Sequence, residues 1–237
     1  KKREEGAPVV GLYCGYAPLE LVRAVGAVPV SLCASSQRTV AAAEAVLPAN
    51  LCPLIKSSFG FISTDSCPIF ALSQAVIGET TCDGKKKMFE LISHRKPIHV
   101  MDLPNMPEGR GVGEQWLKTV EKLKEFLEET FQKRITAARL EDELRETNRK
   151  SSLIDGFFDC LTRHPPPVHW EEIYDVIALD PVSTSEELRM LMAGIDERLE
   201  DRIEAGICFG APSSPRVLVT GCPIGGDALK VLKIIEE

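Results

Sequence analysis

The stretch PVVGLYCGYAPLELVRAVGAVPVSLC, residues 8–33, decides the fold. Two short apolar runs rich in valine, PVVGLY and VPVSL, flank the helix-compatible segment PLELVRAVGA. A strand, a helix and a second strand in this order form a βαβ unit, whose two strands run parallel. Such units connect through a right-handed crossover. The stretch therefore predicts a parallel sheet with helices packed on its faces.

The same alternation continues through the first hundred residues. AVIGET (75–80) and PIHVMDL (97–103) predict two further strands, while TVAAAEAVL (39–47) and GKKKMFELI (84–92) predict helices. Short continuous apolar strands are typical of a sheet that is buried on both faces. We therefore predict an α/β fold whose amino-terminal domain covers residues 1–113.

Residues 114–209 are predicted to form a helical region that packs on this domain. In 114–150, apolar residues recur every three or four positions between charged ones. This spacing indicates one long amphipathic helix, or two helices joined near 133–136. Two further helices are expected over 170–177 and 185–204.

The last segment, residues 210–237, resembles the start of a second α/β domain. A linker over 210–215 leads into RVLVTG (216–221), which predicts a strand, and then into a helix from about residue 226. One strand and one helix cannot complete a parallel sheet by themselves. We therefore expect this second domain to be truncated, and the chain to be a fragment of a longer protein.

The composition restricts the class of function. The net charge is -7, whereas a nucleic-acid-binding surface needs clustered lysine and arginine. The chain has no apolar run near the roughly 18 residues that span a bilayer, and its basic start leads into acidic residues instead of a signal core. We expect a cytoplasmic protein without nucleic-acid or membrane partners, whose eight cysteines are ligands, catalysts or small buried hydrophobes instead of disulfides.

Five cysteines fall within the first 82 residues, at or near the expected ends of strands. They are Cys14, Cys33, Cys52, Cys67 and Cys82. Open α/β sheets bind ligands outside the carboxyl ends of their strands, so these thiols can meet in one crevice. The placement predicts a metal or iron–sulfur centre and makes 1–113 a cluster-binding domain, although Cys14 and Cys33 fit core packing equally well.

Cys82 begins the most informative motif, CDGKKK. A thiol at the end of a strand is followed by a turn and by the cations Lys85, Lys86 and Lys87 at the start of a helix. Nearby ammonium groups and a helix amino terminus favour the thiolate and offset the negative charge of a cluster. The motif indicates an iron–sulfur ligand; the alternative is a buried cysteine beside a solvated lysine run.

Cys52 and Cys67 each precede a proline. Proline also follows a ligand cysteine in ferredoxin-type loops, whereas the plainer interpretation is a helix with proline at its first position. Zinc is disfavoured as the metal, because the five thiols are spaced by 19, 19, 15 and 15 residues and the paired spacing of structural zinc sites is absent.

The segment GCPIGGD, residues 221–227, follows the last expected strand. Its glycines have the spacing of a phosphate-binding loop, but Asp227 and Ala228 stand where lysine and a hydroxyl residue would be needed. We therefore predict a tight turn that allows close packing, without direct binding of ATP or a dinucleotide.

Six motifs in order resemble the 2-hydroxyacyl-CoA dehydratase family (dehydratase D-component), and are most similar to its double-cubane cluster protein branch. The motifs, which cover nearly the whole chain, are YCGYAPLEL, AVGAVPVSLC, LPANLCPLIKSSFGF, GETTCDGKKKMFELI, HVMDLPN and TGCPIGGD. The resemblance implies two similar α/β domains with the cluster between them and cysteine ligands from both.

The resemblance also implies specific site residues. Cys52 and Cys82 match the two amino-terminal ligands shared with the dehydratases, and Cys67 is characteristic of the double-cubane branch. The cofactor would be a [4Fe-4S] or a double-cubane [8Fe-9S] cluster, with further ligands in the second domain. Glu20 matches the P-x-E-L position and would handle protons; its plain alternative is a carboxylate placed by the helix dipole.

Three functions follow as hypotheses. The first is an iron–sulfur reductase component that accepts low-potential electrons from a separate homodimeric activator ATPase and reduces a small substrate; the resemblance implies that this component is itself a homodimer. The second is a 2-hydroxyacyl-CoA dehydratase subunit, a radical lyase. The third is a non-enzymatic metal-binding accessory protein.

Overall fold

The computed structural model describes residues 6–220 and 224–237, which divide into two compact units. The first unit runs up to Leu140 and includes a short later stretch that ends at Asp227. The second begins at Glu141 and contains the remaining residues to the end of the chain. The sheet lies in the first unit.

Four parallel strands form the sheet, in the spatial order β2-β1-β3-β4. They are β1 (Val9–Leu12), β2 (Val28–Ser31), β3 (Ala75–Glu79) and β4 (Ile98–Met101). Each coincides with one of the four apolar runs. The predicted α/β parallel-sheet fold is confirmed.

The order of the strands reverses between β1 and β3. From β1 the chain crosses to β2 on one side, and it then returns to β3 on the other side of β1. Leu12 lies beside both Ser31 and Ile77, so the carboxyl ends of the three strands meet at one edge. In open α/β sheets this reversal creates the crevice in which ligands bind.

Helices cover both faces of the sheet. Those of the first unit are α1 (Leu19–Ala24), α2 (Val40–Glu44), α3 (Pro53–Ser63), α4 (Pro68–Leu72), α5 (Asp83–Ser93) and α6 (Val112–Phe131). Consecutive residues of β3 point to opposite faces: Ile77 packs with Leu21 and Leu123 of α1 and α6, while Val76 packs with helices α3 and α5. The expected two-sided burial is therefore observed.

Gly78 explains how closely α5 approaches the sheet. A Cβ atom at this position would lie 2.6 Å from the ring of Phe89. The ring therefore packs directly on the backbone of β3, and the strand needs glycine at this point.

The amphipathic region consists of two helices, the second of the two predicted alternatives. Helix α6 ends at Phe131, the next residue Gln132 has a left-handed backbone conformation (φ 51°), and α7 (Ala137–Phe158) follows. Glu128 stabilises the connection, because its Oε1 accepts a 2.6 Å hydrogen bond from the amide of Ile135.

The second unit is helical. Helices α8 (Trp170–Leu179), α9 (Ser185–Glu204) and α10 (Lys230–Glu236) follow the end of α7. The core includes Phe157, Val176 and Leu188. No helix in the described part of the chain has both the length and the apolar character needed to cross a membrane.

The strand predicted in RVLVTG is wrong for the residues that the structure describes. Residues 216–220 have no regular secondary structure, and Leu218 is 87% exposed. A strand persists only when a neighbour pairs with it, and 216–220 pair with no strand of the described chain. Residues 221–223 of the expected tight turn lie outside the described ranges, while the helix that follows is observed as α10.

Candidate functional site

The loop after β1 and the start of α5 bring a thiol and an ammonium group together. Lys85 Nζ donates a hydrogen bond to Cys14 Sγ. Thr81 Oγ1 lies 3.5 Å from the same sulfur and 3.3 Å from Lys85 Nζ. Cys14 has a left-handed backbone (φ 70°), which is uncommon for a residue with a side chain. These three side chains form what we call the Cys14 cluster.

The three lysines of the CDGKKK motif have different surroundings. Lys86 lies 3.5 Å from Asp83 and Lys87 lies 2.8 Å from Glu90, both pairs being exposed. Lys85 instead faces the cysteines. Burial opposes its charge, but the hydrogen bond with Cys14 and the charges of Cys14, Cys33 and Cys82 outweigh burial and raise its pKa. Lys85 is therefore the lysine of the three that balances thiolate charge.

Glu79, the last residue of β3, was not recognised from the sequence. It is completely buried, and its Oε1 accepts hydrogen bonds from the amides of Tyr16 (2.7 Å) and Ala17 (2.8 Å). Burial raises its pKa, against the lowering effect of these amides and of Lys85. Its Oε2 has no hydrogen-bond partner in the described chain. A glutamate that ends an otherwise apolar strand is the signal that could have revealed it.

Cys52 and Cys82 occupy equivalent positions at the beginnings of two helices. Cys52 is the N-cap of α3 and Cys82 the N-cap of α5; both are exposed, and neither side chain makes a capping hydrogen bond. The helix starts are neighbours, because Ile55 of α3 would contact a Cβ atom on Gly84 of α5 at 2.9 Å. The predicted ligands Cys52 and Cys82 therefore lie at the same edge of the sheet.

Cys67 lies elsewhere. It is the N-cap of α4, its sulfur accepts a 3.3 Å hydrogen bond from the amide of Phe70, and it lines a pocket of about 210 Å³ with Arg95 and Lys96. Arg95 and Lys96 precede β4, so this pocket is near the amino ends of the strands. The structure does not bring Cys67 to Cys52 and Cys82, and its role as a ligand stays a prediction.

The plainer interpretation of the Cys-Pro dipeptides also holds. Pro53 and Pro68 each occupy the first turn of a helix. Because a residue can cap a helix and still present a free thiol, this does not exclude ligation at Cys52. The thiol of Cys67, in contrast, already accepts a capping hydrogen bond from the amide of Phe70.

The segment that contains Asp227 is attached beside the end of β2. Ser35 Oγ donates to the carbonyl of Gly225, the amide of Asp227 donates to the carbonyl of Ser35 (3.1 Å), and the amide of Gln37 donates to Asp227 Oδ2 (3.1 Å). Cys33, which is half-buried, lies two residues before Ser35. The GGD part of the last motif therefore lies at the carboxyl edge of the sheet.

Glu20, the predicted proton-handling residue, lies in the first turn of α1. Its carboxylate is 3.8 Å from Arg23 one turn later, and its side chain is 16% exposed. This geometry agrees with the plain helix-dipole interpretation and leaves the catalytic role a prediction.

An iron–sulfur cluster is held mainly by thiolates, so cysteines are the donors that the site would need. Cys52 and Cys82 supply soft donors at helix amino termini, where a negative charge is stabilised. Within residues 6–220 and 224–237, no three histidine, cysteine, aspartate or glutamate side chains converge on a point where they could hold a metal ion. The described residues fit part of a ligand set.

Comparison with known proteins shows the family of the chain. The family described as 2-hydroxyglutaryl-CoA dehydratase, D-component, matches residues 14–237. A protein of Escherichia coli (strain K12) called putative dehydratase subunit YjiM is 40% identical over 99% of this chain and 61% of its own length. The lactoyl-CoA dehydratase subunit beta of Anaerotignum propionicum is 26% identical over 69% of this chain and 43% of its own. The chain thus spans less than two thirds of either relative.

Proposed function

Because the chain belongs to the 2-hydroxyglutaryl-CoA dehydratase D-component family, we propose that it is an iron–sulfur enzyme component of the double-cubane type. It would accept low-potential electrons from an ATP-dependent activator and reduce a small substrate. The observation that carries the proposal is the pair of exposed, uncapped thiols of Cys52 and Cys82 on neighbouring helix starts.

When bound, the cluster would supply one-electron chemistry, and the residues of the chain would hold and tune it. Cys52 and Cys82 would be ligands from this unit. Lys85 would offset part of the negative charge, since its ammonium contacts Cys14 and its pKa is also raised by the charges of Cys33 and Cys82. Glu20 would handle a proton of the substrate; it is in the first turn of the helix that follows the Cys14 loop.

The location and partners form part of the same proposal. A low-potential cluster would work under the reducing conditions of the cytoplasm, and its electron would come from a separate activator protein. The activator would be a homodimeric iron–sulfur ATPase. The component itself would act as a homodimer.

The names of the relatives favour a second candidate. Both are called dehydratase subunits, and one acts on lactoyl-CoA by its name. In this version the protein is a subunit of a 2-hydroxyacyl-CoA dehydratase, a lyase. Activator-dependent loss of water from a 2-hydroxyacyl-CoA would decide for it, whereas activator-dependent reduction of a small substrate without dehydration would decide for the reductase.

The first experiment is metal analysis of protein purified without oxygen. Iron, acid-labile sulfide and the EPR spectrum of the dithionite-reduced protein are compared for the parent, Cys52→Ser, Cys82→Ser and, as an exposed control, Cys208→Ser. We expect about eight iron atoms per protomer for a double cubane, or about four for a dehydratase cluster. Both ligand variants should lose iron and the control should not.

Two results would contradict the proposal. Parent protein without iron or sulfide would reject an iron–sulfur component altogether. Stable zinc in place of iron, with no electron accepted from the activator, would identify a metal-binding accessory protein instead.

A further inference from the structure

The Cys14 cluster combines the elements of a nucleophilic thiol site. Its sulfur accepts a hydrogen bond from an ammonium group, and a hydroxyl lies at 3.5 Å. An adjacent cation favours the thiolate, which is the reactive form of cysteine. Cys14 is half-exposed, so a small molecule can approach it. Lys85 and Cys14 are far apart in sequence, and the sheet brings them together.

A second observation comes from Glu79, beneath the same loop. It is completely buried, binds the amides of Tyr16 and Ala17, and keeps Oε2 without a partner in the described part of the chain. A buried polar atom without a partner carries a free-energy cost that most proteins avoid. The carboxyl group therefore holds Tyr16 and Ala17, which end the loop that carries Cys14.

We propose that Cys14 is a nucleophilic thiol, activated by Lys85, that reacts with soft electrophiles and in particular with the disulfides of small thiols. In the exchange, the Cys14 thiolate attacks one sulfur of the disulfide. A new sulfur–sulfur bond forms to Cys14, the original one breaks, and the second half leaves as a thiolate that takes a proton from water. Cys14 is oxidised and the leaving half is reduced.

This site goes beyond the proposed function and can be tested without a bound cluster. Chelator-treated, fully reduced protein is treated with a limiting amount of iodoacetamide at pH 7, and the labelling rate of each cysteine is read by peptide mass spectrometry. Cys208, which is exposed, is the reference within the same chain. The exchange is then followed with oxidised glutathione as the probe.

The variants isolate the charge of Lys85. Lys85→Met removes the ammonium and keeps most of the stem, Lys85→Arg keeps a cation, and Lys86→Met is the matched control, since Lys86 pairs with Asp83 on the surface. We expect Cys14 to react roughly fivefold faster than Cys208, and this advantage to disappear in Lys85→Met but not in Lys85→Arg or Lys86→Met. The rate at Cys208 should not change.

Circular dichroism checks that each variant is folded. If Lys85→Met does not fold, the test still rests on Lys85→Arg, which keeps a cation at this position. The proposal is overturned if Cys14 reacts no faster than Cys208, or if Lys85→Met and Lys86→Met have the same effect. Because no metal is present, either result is independent of the iron analysis.

Discussion

Cys52 immediately precedes helix α3 and Cys67 follows the last residue of that helix by four positions, so the helix separates the two thiols. With 11 residues, α3 is about 16 Å long. Cys52 and Cys67 therefore lie beyond opposite ends of α3.

This separation predicts different effects of two serine substitutions. Cys67→Ser should keep nearly all the iron of the parent protein, while Cys52→Ser should lose most of it. The measurement is iron per protomer after anaerobic purification. Equal loss of iron from both variants would show instead that Cys67 is a ligand, as the resemblance to the double-cubane branch implies.

The local parts of the fold could be predicted from the sequence. The four strands were found because each is a short valine- or isoleucine-rich run, and burial on both faces requires such runs. The strand in 216–221 was expected on the same grounds and is not observed over 216–220, because pairing depends on a neighbour and not on composition.

The site was predictable only in part, for a related reason. Cys52 and Cys82 could be selected because each has a motif. The contacts of Glu79 with Tyr16 and Ala17 cross more than 60 positions, and no local pattern reports them. Which of three successive lysines faces the thiols depends on how α5 is rotated against the sheet, which its packing on Gly78 determines.

Glu79 gives a prediction about pH. Its raised pKa means that ionisation costs more in the folded than in the unfolded protein. The contribution of Glu79 to the free energy of unfolding is therefore largest below the pKa of the carboxyl group in the unfolded chain, about 4.5. This contribution is lost as the pH rises through the higher pKa of the folded protein. Glu79→Gln cannot ionise, so its stability relative to the parent should increase over this interval.

The measurement is urea unfolding between pH 4 and pH 8, followed by the fluorescence of Trp116 in a Trp170→Phe background. Glu79→Ala is the contrasting variant. It leaves the amides of Tyr16 and Ala17 without their acceptor and should lose about 1–3 kcal/mol at every pH. A pH-independent difference between Glu79→Gln and the parent would contradict an ionisation cost.

Substitution of Asp227 should loosen the structure locally, with little change in the overall stability of the protein. Its carboxylate accepts from the amide of Gln37, and its own amide donates to Ser35. Asp227→Ala removes the carboxylate contact, which is partly open to water and contributes about 1 kcal/mol or less. Amide hydrogen exchange should become faster over residues 35–39, while the urea midpoint changes little.

A matched control for this variant is Asp175→Ala, at an exposed aspartate of α8. It should leave exchange at 35–39 unchanged. Unchanged exchange in Asp227→Ala as well would mean that the contact with Gln37 does not hold the segment beside β2.

The charge of Glu172 should make the stability of the second unit sensitive to acid. It accepts hydrogen bonds from Arg202 at 2.6 and 3.1 Å and from Arg198 at 3.3 Å. Burial raises its pKa, but these bonds and the amide of His169 outweigh burial and lower it. A lowered pKa contributes stability above the unfolded carboxyl value of about 4.5, and this stability is lost as the pH falls through the folded value.

Glu172→Gln should therefore lose about 1–3 kcal/mol of unfolding free energy at pH 7 and progressively less as the pH falls below 4.5, because the parent loses the same charge there. Urea unfolding with Trp170 as the reporter, in a Trp116→Phe background, measures this difference. Glu171→Gln, at the exposed neighbouring position, should change stability by no more than about 0.5 kcal/mol. A loss in Glu172→Gln that persists at pH 3 would contradict the prediction, because it would show that the charge of Glu172 is not what stabilises the second unit.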